Sequence, residues 1–211
     1  MLPFKTPKLI RILKPSLEWK IQTTSEPTIY LTFDDGPIPE VTEFVLRTLS
    51  QFNAKATFFC IGENIKKHPK VFEKILVADH SIGNHTFNHL KGSNTETAHY
   101  LENTMLCDEI IEQEMGRPTL LFRPPYGRLK ESQRKAILKE KQIIMWDVLS
   151  QDYDQDLDKK TCCKKVIEHT EDGSIVLFHD SLKARLNMEH SLPLILSHFS
   201  KQGYRFKSIP N

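Results

Sequence analysis

The sequence predicts a parallel α/β architecture, on three observations. β-rich runs alternate with longer helical patterns from Thr28 to the C-terminus, the strand candidates are almost continuously apolar, and no internal repeat, low-complexity tract or linker interrupts the alternation. Strands joined through helices run parallel and are covered on both faces, so they carry apolar residues throughout rather than at every second position. The strands expected are "TIYLTF" from Thr28, "KATFFC" from Lys55, "HSIGNH" from His80, "TLLFRP" from Thr119, "IIMWDV" from Ile143, "SIVLFHD" from Ser174 and "YRFKSI" from Tyr204. Between them, "PEVTEFVLRTLSQF" opens on a proline suited to a first turn and lines one face with Val41, Phe44, Val45, Leu46 and Leu49. The stretch "NTETAHYLENTMLCDEIIEQEMG" takes Asn94 as its N-cap and Gly116 as its terminating glycine. A closed barrel of eight β/α units takes about 250 residues. A chain of 211 therefore suits a smaller or incomplete barrel, with an open doubly wound sheet as the architecture of equal periodicity.

Composition narrows the function classes. With 39% hydrophobic and 27% charged residues the chain reads as one globular domain and excludes disordered and collagen-like structure. A formal charge of +2, with Lys and Arg scattered among Asp and Glu, gives no basic stripe for nucleic acid. Cys60, Cys107, Cys162 and Cys163 match neither a small disulfide framework nor paired zinc knuckles, and are expected as reduced, buried thiols. At the N-terminus, Pro3, Pro7, Pro15 and the interspersed lysines leave no apolar core of signal-peptide length, and no run elsewhere approaches a membrane span. The organisation expected is a basic arm over residues 1–26 packed on a domain over 27–211, in the cytoplasm. Peripheral membrane contact through Leu9, Ile10 and Ile12 is the alternative use of the arm. No oligomeric state is legible.

Parallel folds gather their sites at the C-terminal ends of strands. Five strand ends here carry polar residues: Asp34 and Asp35, His85 and His89, Arg123, Asp152, and His179 with Asp180. In "YLTFDDGP" a turn uses one aspartate and leaves the second without a structural reason. In "GNHTFNHL" the histidines are four apart, so a helix there would aim both at one ion. Two solvated histidines are the plainer reading until a carboxylate from another strand end joins them, when the set becomes that of a catalytic zinc with open positions. One aspartate would then hold the metal while the other works on the water. "RPPYG" makes a rigid turn, yet an arginine among carboxylates exceeds what a turn needs. The apolar run "SIVLF" carries His179 to the same rim; a core histidine satisfied by a carbonyl is its structural alternative. His68, His80, His99, His169, His190 and His198 read as surface or capping residues.

Taken in order, "TFDDGP", "HTFNH", "RPPYG", "WDVLSQDYD" and "VLFHD" resemble the five motifs of the NodB-homology polysaccharide deacetylases, carbohydrate esterase family 4. The likeness spans nearly the whole chain. It implies a distorted, incomplete (β/α)7 barrel and metal-dependent hydrolysis of N-acetyl groups on the amino sugars of a chitin- or peptidoglycan-like glycan. By motif position it implies Asp34 as catalytic base, oriented by Arg123, and Asp35, His85 and His89 as the metal triad. His179 is implied as general acid, with Asp152 tuning it. The Tyr126 N–H would help hold the oxyanion, and Leu177 would wall the acetyl-methyl pocket, with Pro124 and Trp146 beside the substrate. Many members have an acidic residue three positions after the tryptophan and a second tryptophan after the tuning aspartate; this chain has Leu149 and Tyr153. That departure bears on the rim and so on the choice of substrate.

Zinc is the metal expected, although Co2+, Ni2+ and Fe2+ suit the same ligands. The expected partner is an acetylated amino-sugar glycan or oligosaccharide. Rival readings are an O-acetyl (xylan-type) esterase of the same family, a non-catalytic metal- and glycan-binding module, and the two-His, one-carboxylate site of an iron oxygenase. The oxygenase reading leaves Asp34 and His179 without roles.

Overall fold

The computed structural model describes residues 3–23 and 26–211; Met1, Leu2, Thr24 and Ser25 of the expected arm lie outside them. In chain order the elements are α1 (Lys8–Leu13), β1 (Thr28–Asp34), α2 (Val41–Gln51), β2 (Thr57–Cys60), α3 (Gly62–Lys67), α4 (Pro69–Val77) and β3 (Ser81–Asn84). After these come α5 (Thr97–Met115), β4 (Leu121–Phe122), α6 (Glu131–Ile137), β5 (Gln142–Ile143), β6 (Val148–Leu149), α7 (Lys159–His169), β7 (Ile175–His179), α8 (Arg185–Lys201) and β8 (Arg205–Phe206).

Seven strands follow one path, β5-β4-β3-β2-β1-β7-β6, and every named pair is parallel. The curled sheet is the (β/α)7 half-barrel that the resemblance implies, and the open doubly wound alternative, which periodicity left standing, falls. β8 adds two residues against the start of β1, with Thr28 facing Arg205 and Ile29 facing Phe206. The largest core cluster lies between the sheet and its helices, built from Ile29, Leu31 and Phe33 of β1, Phe58 of β2, Val176 and Phe178 of β7, and helix residues such as Val45, Phe72, Ile111 and Leu192.

The barrel is open between its edge strands β5 and β6, and residues 4–21 lie there. Lys5 pairs antiparallel with Val148, Glu18 parallel with Ile144, and Lys20 antiparallel with Ser174. The arm is pinned by charge as well. The buried Asp147 carboxylate accepts from Lys5 Nζ at 2.7 Å and Arg11 Nη1 at 3.2 Å, and from Ser174 Oγ at 2.7 Å. The short helix α1 buries none of its residues, and Leu9, Ile12 and Leu13 are exposed.

Three local expectations are corrected. "IIMWDV" is not one strand but the ends of two, because the Arg123 side chain takes the carbonyls of Ile144 and Met145 while the Met145 N–H turns to Glu18 of the arm. Asn94 does not cap α5: it belongs to a 3-10 turn over Gly92–Asn94, and the helix starts two residues later after Glu96. His80 is not a surface residue, since its partly buried Nδ1 accepts from the Ala56 N–H at 3.2 Å. Burial drives its pKa down to about 4. Gly116 ends α5 with φ 72 as expected, and the four cysteines are free and buried.

Candidate active site

Strand alternation sets the site. Along β1, Ile29, Leu31 and Phe33 face the helices, so Tyr30, Thr32 and Asp34 face the barrel interior, with Asp34 last and highest. β7 repeats the pattern: Val176 and Phe178 join the outer core, while Leu177 and His179 line the cleft. Parallel register places Asp34 directly beside His179.

Asp34 is 4% exposed, and its charge is met by a fully buried arginine. Arg123 Nη1 donates to Asp34 Oδ1 at 2.8 Å and to Thr32 Oγ1 at 2.7 Å, while Nε and Nη2 hold the Ile144 and Met145 carbonyls. Its Cζ lies 4.1 Å from the Phe59 ring centroid. With four polar partners and a ring below it, the guanidinium has one orientation, and that orientation fixes the Asp34 carboxylate.

Asp35 turns the other way. Its φ of 83, in the left-handed region that aspartate tolerates, swings the carboxylate toward the third strand end. Asn64 Nδ2 holds the Asp35 carbonyl at 2.7 Å. The next residue must be glycine, because a Cβ at Gly36 would sit 2.0 Å from a carboxylate oxygen of Asp180. Asp180, fully buried, accepts from the Gly36 N–H at 3.0 Å and from Thr42 Oγ1 at 2.5 Å, so it buttresses the turn from behind the cleft. Burial lifts the Asp180 pKa to about 7.

His85 and His89 converge without the helix that their spacing suggests. The chain after β3 is irregular, with Thr86 at φ 66 and His89 at φ 58, and these two left-handed residues bring the imidazole centroids to 5.2 Å. His85 Nδ1 lies 2.7 Å from the Arg123 carbonyl, which accepts only, so the ring proton sits on Nδ1 and Nε2 presents a lone pair. Burial, helped by neighbouring His89, drives the His85 pKa down to about 3 and keeps the ring neutral.

These donors fit a metal ion. Asp35, His85 and His89 each offer a ligand atom, all within 4.8 Å of one another. Asp35 Oδ1 is buried and accepts no hydrogen bond, yet the Nε2 atoms of His89 and His85 lie 3.3 and 3.8 Å from it. A buried carboxylate oxygen without a donor is costly, and a shared cation removes that cost.

Across the cleft, Asp152 Oδ1 lies 2.7 Å from His179 Nδ1, and Asp152 Oδ2 accepts the His179 backbone N–H at 2.8 Å. Burial works to lower the His179 pKa, but Asp152, with Asp35 and Asp34 behind it, raises it to about 9. The ring is therefore cationic at neutral pH.

A cleft of about 560 Å³ collects Asp34, Asp35, His85, His89, Pro124, Tyr126, Trp146, Leu177 and His179. Of the residues expected at the site, Arg123 and Asp152 do not line it; they lie buried behind it and act on residues that do. Tyr126 sits on a turn at φ 60, its ring 4.7 Å from that of His89. Gly127 has φ +64, and a Cβ there would meet Trp146 at 2.5 Å, so the glycine lets the indole pack directly against this turn. Leu149 and Tyr153 also line the cleft, as do Lys91, Arg128 and Lys183, which the sequence reading did not select. Each follows a motif within four residues, the one signal that pointed to them.

Fold and site together define a metal-dependent hydrolase on an incomplete parallel barrel. The chain belongs to the polysaccharide deacetylase family, whose model matches residues 21–142. It is 35% identical over 193 residues to a peptidoglycan-N-acetylglucosamine deacetylase of Bacillus cereus, covering 90% of each chain. It is 30% identical over 186 residues to the peptidoglycan-N-acetylmuramic acid deacetylase PdaC of Bacillus subtilis, covering 88% of this chain and 38% of that one. Among solved structures it resembles the Bc1960 peptidoglycan N-acetylglucosamine deacetylase, with TM-score 0.88 and 29% identity over 100% of this chain and 96% of the other. The protein is a metal-dependent enzyme that removes N-acetyl groups from the amino sugars of a glycan. Among the described residues no helix is long and apolar enough to cross a membrane.

Proposed function

We propose that the substrate is a peptidoglycan-type glycan or a soluble fragment of one, and that Asp35, His85 and His89 hold Zn2+. The observation that carries the reading is two charged pairs of opposite sense beside the triad: an anion held by a buried arginine, Asp34 with Arg123, and a cation held by a buried carboxylate, His179 with Asp152. Amide hydrolysis needs this asymmetry, because water must lose a proton while the departing amine gains one.

Bound there, a divalent ion supplies Lewis acidity, lowering the pKa of a coordinated water toward about 7 and polarising the acetyl carbonyl. Asp34 takes the proton of the attacking water, and Arg123 keeps that carboxylate ionised and aimed. The Tyr126 N–H donates to the developing oxyanion. His179 Nε2, with Nδ1 committed to Asp152, protonates the departing nitrogen as the C–N bond breaks, leaving acetate and a free amine. Leu177 packs against the acetyl methyl, and Pro124 and Trp146 border the sugar. The four buried thiols suit a reducing compartment, and a soluble glycan fragment met in the cytoplasm fits them.

Acetate release tests the reading directly, measured on peptidoglycan fragments, N-acetylglucosamine oligomers and acetylated xylan with and without added Zn2+. Zn-dependent release from the amino-sugar substrates is expected. Release from xylan alone would transfer the site to ester chemistry.

A further inference from the structure

Lys91, Arg128 and Lys183 line the mouth of the cleft, and among the described residues no carboxylate accompanies them there: the acids of the lining are Asp34 and Asp35, which belong to the reacting centre. Asp34 is already paired with Arg123, and Asp35 belongs to the metal cluster. The rim is therefore cationic only, on a chain whose formal charge is just +2.

Two of the cations are placed by aromatic rings that reach the reacting centre. Lys183 Nζ lies 5.8 Å from the centroid of Tyr153, and that ring stands edge-on to His179 at 5.1 Å. Lys91 Nζ lies 5.5 Å from the centroid of Tyr126, whose ring is 4.7 Å from His89. His179 ends β7 and His89 follows β3, strands on opposite sides of β1, so the two ladders flank the site. Arg128 follows directly on the Tyr126 turn. An exposed lysine without a partner is ordinary, but two that each sit over a tyrosine beside a site histidine, with an arginine next to one of them, make a surface fitted to an anion.

We infer that the cleft selects an N-acetylated amino-sugar chain bearing carboxylates beside the reacting sugar, read by Lys91, Arg128 and Lys183 while Tyr126 and Tyr153 pack on the sugar faces. This rests on the deacetylase reading above and names the chemistry of its substrate. A neutral oligomer makes the ring contacts alone. An acidic one adds a charge-assisted contact per cation, weakened by salt. The carboxylate can belong to a lactyl ether on the neighbouring sugar or to a peptide attached to it, and both sources present the same group.

The test uses the full chain loaded with Zn2+ and reads kcat/KM for acetate release on three oligomers. One is a neutral N-acetylglucosamine oligomer, one a peptide-free oligomer alternating N-acetylglucosamine with N-acetylmuramic acid, and one the same oligomer with its peptides. The expected result is a preference for the acidic oligomers that shrinks from low to physiological salt. Lys91→Gln, Arg128→Gln and Lys183→Gln should each cut the acidic-to-neutral ratio about two- to five-fold, chiefly through KM, and Lys183→Arg should retain it. Preference for the peptide-free acidic oligomer identifies the sugar-borne acid, and preference only for the peptide-bearing one identifies the peptide. Zn-dependent release from the neutral oligomer with no acidic preference, or with a preference untouched by the three variants, overturns the inference and leaves the deacetylase reading standing. No acetate from any of the three overturns both.

Discussion

Asp152 grips His179 at two points, the backbone N–H through Oδ2 at 2.8 Å and the ring through Oδ1 at 2.7 Å. The double contact locks the residue's backbone and its ring together, so the imidazole cannot turn without breaking the carboxylate's hold. It also commits the Nδ1 proton to Asp152 and leaves Nε2–H as the donor facing the cleft.

The first prediction follows from that grip. A general acid works protonated, so activity is held below its pKa and lost as pH rises through it. With the His179 pKa raised to about 9, the alkaline limb of the kcat/KM profile should lie in that region. Asp152→Asn removes the leading influence that raises it, burial then prevails, and the limb should move to lower pH. Paired pH profiles on one amide substrate check this, and an unmoved limb would remove Asp152 from the tuning role.

The adjacent aspartates should fail differently. Asp34→Asn keeps the triad intact and should retain the metal while turnover falls about 10²- to 10⁴-fold, because an amide cannot accept the water's proton. Asp35→Asn should lose metal and activity together. Elemental analysis alongside acetate release separates the two, and identical behaviour would refute the division of labour.

Metal occupancy should depend on both histidines. His85→Ala and His89→Ala each remove one of three protein donors, so each variant should carry well under half of the wild-type metal. Added Zn2+ should raise the melting temperature of the wild type, since a ligand that binds only the folded chain stabilises it by mass action. Full occupancy in both variants would place the ion elsewhere.

Arg123 should matter to folding as much as to catalysis. Arg123→Met leaves Asp34 buried without its counter-charge and frees the carbonyls of Ile144 and Met145. Breaking a buried pair by removing one partner costs about 3–5 kcal/mol, to be read as a lower urea midpoint at unchanged slope. A midpoint within error of the wild type would show that the pair does not hold the barrel.

Much of the site was legible in the sequence because parallel strands end on one rim and side chains alternate along them. Once "TIYLTF" and "SIVLF" are strands, Asp34 and His179 must close them, and the five ordered motifs then assign roles. Other features depend on contacts between residues far apart in the chain, which no local pattern encodes. His85 and His89 meet through two left-handed residues instead of a helix, because the loop is shaped by what packs on it, such as the Asn103 side chain that accepts from the Phe87 N–H. The "IIMWDV" run splits because a side chain 21 residues earlier claims the Ile144 carbonyl.

The sequence by itself determined the parallel α/β class and the polar strand ends that form the rim, since both follow from periodicity and from strand-end position, which are properties of short stretches; the barrel and the expected roles of the rim residues came from the resemblance of the five motifs. Tertiary structure alone decided that residues 4–21 lie against the seam of the barrel, that Arg123 and Asp152 stand behind the cleft rather than in it, and that Lys91, Arg128 and Lys183 meet around its mouth. Those three cations lie 37 and 55 residues apart in the chain, and only the curl of the parallel sheet brings their loops to one rim, where their charges act together on a single ligand.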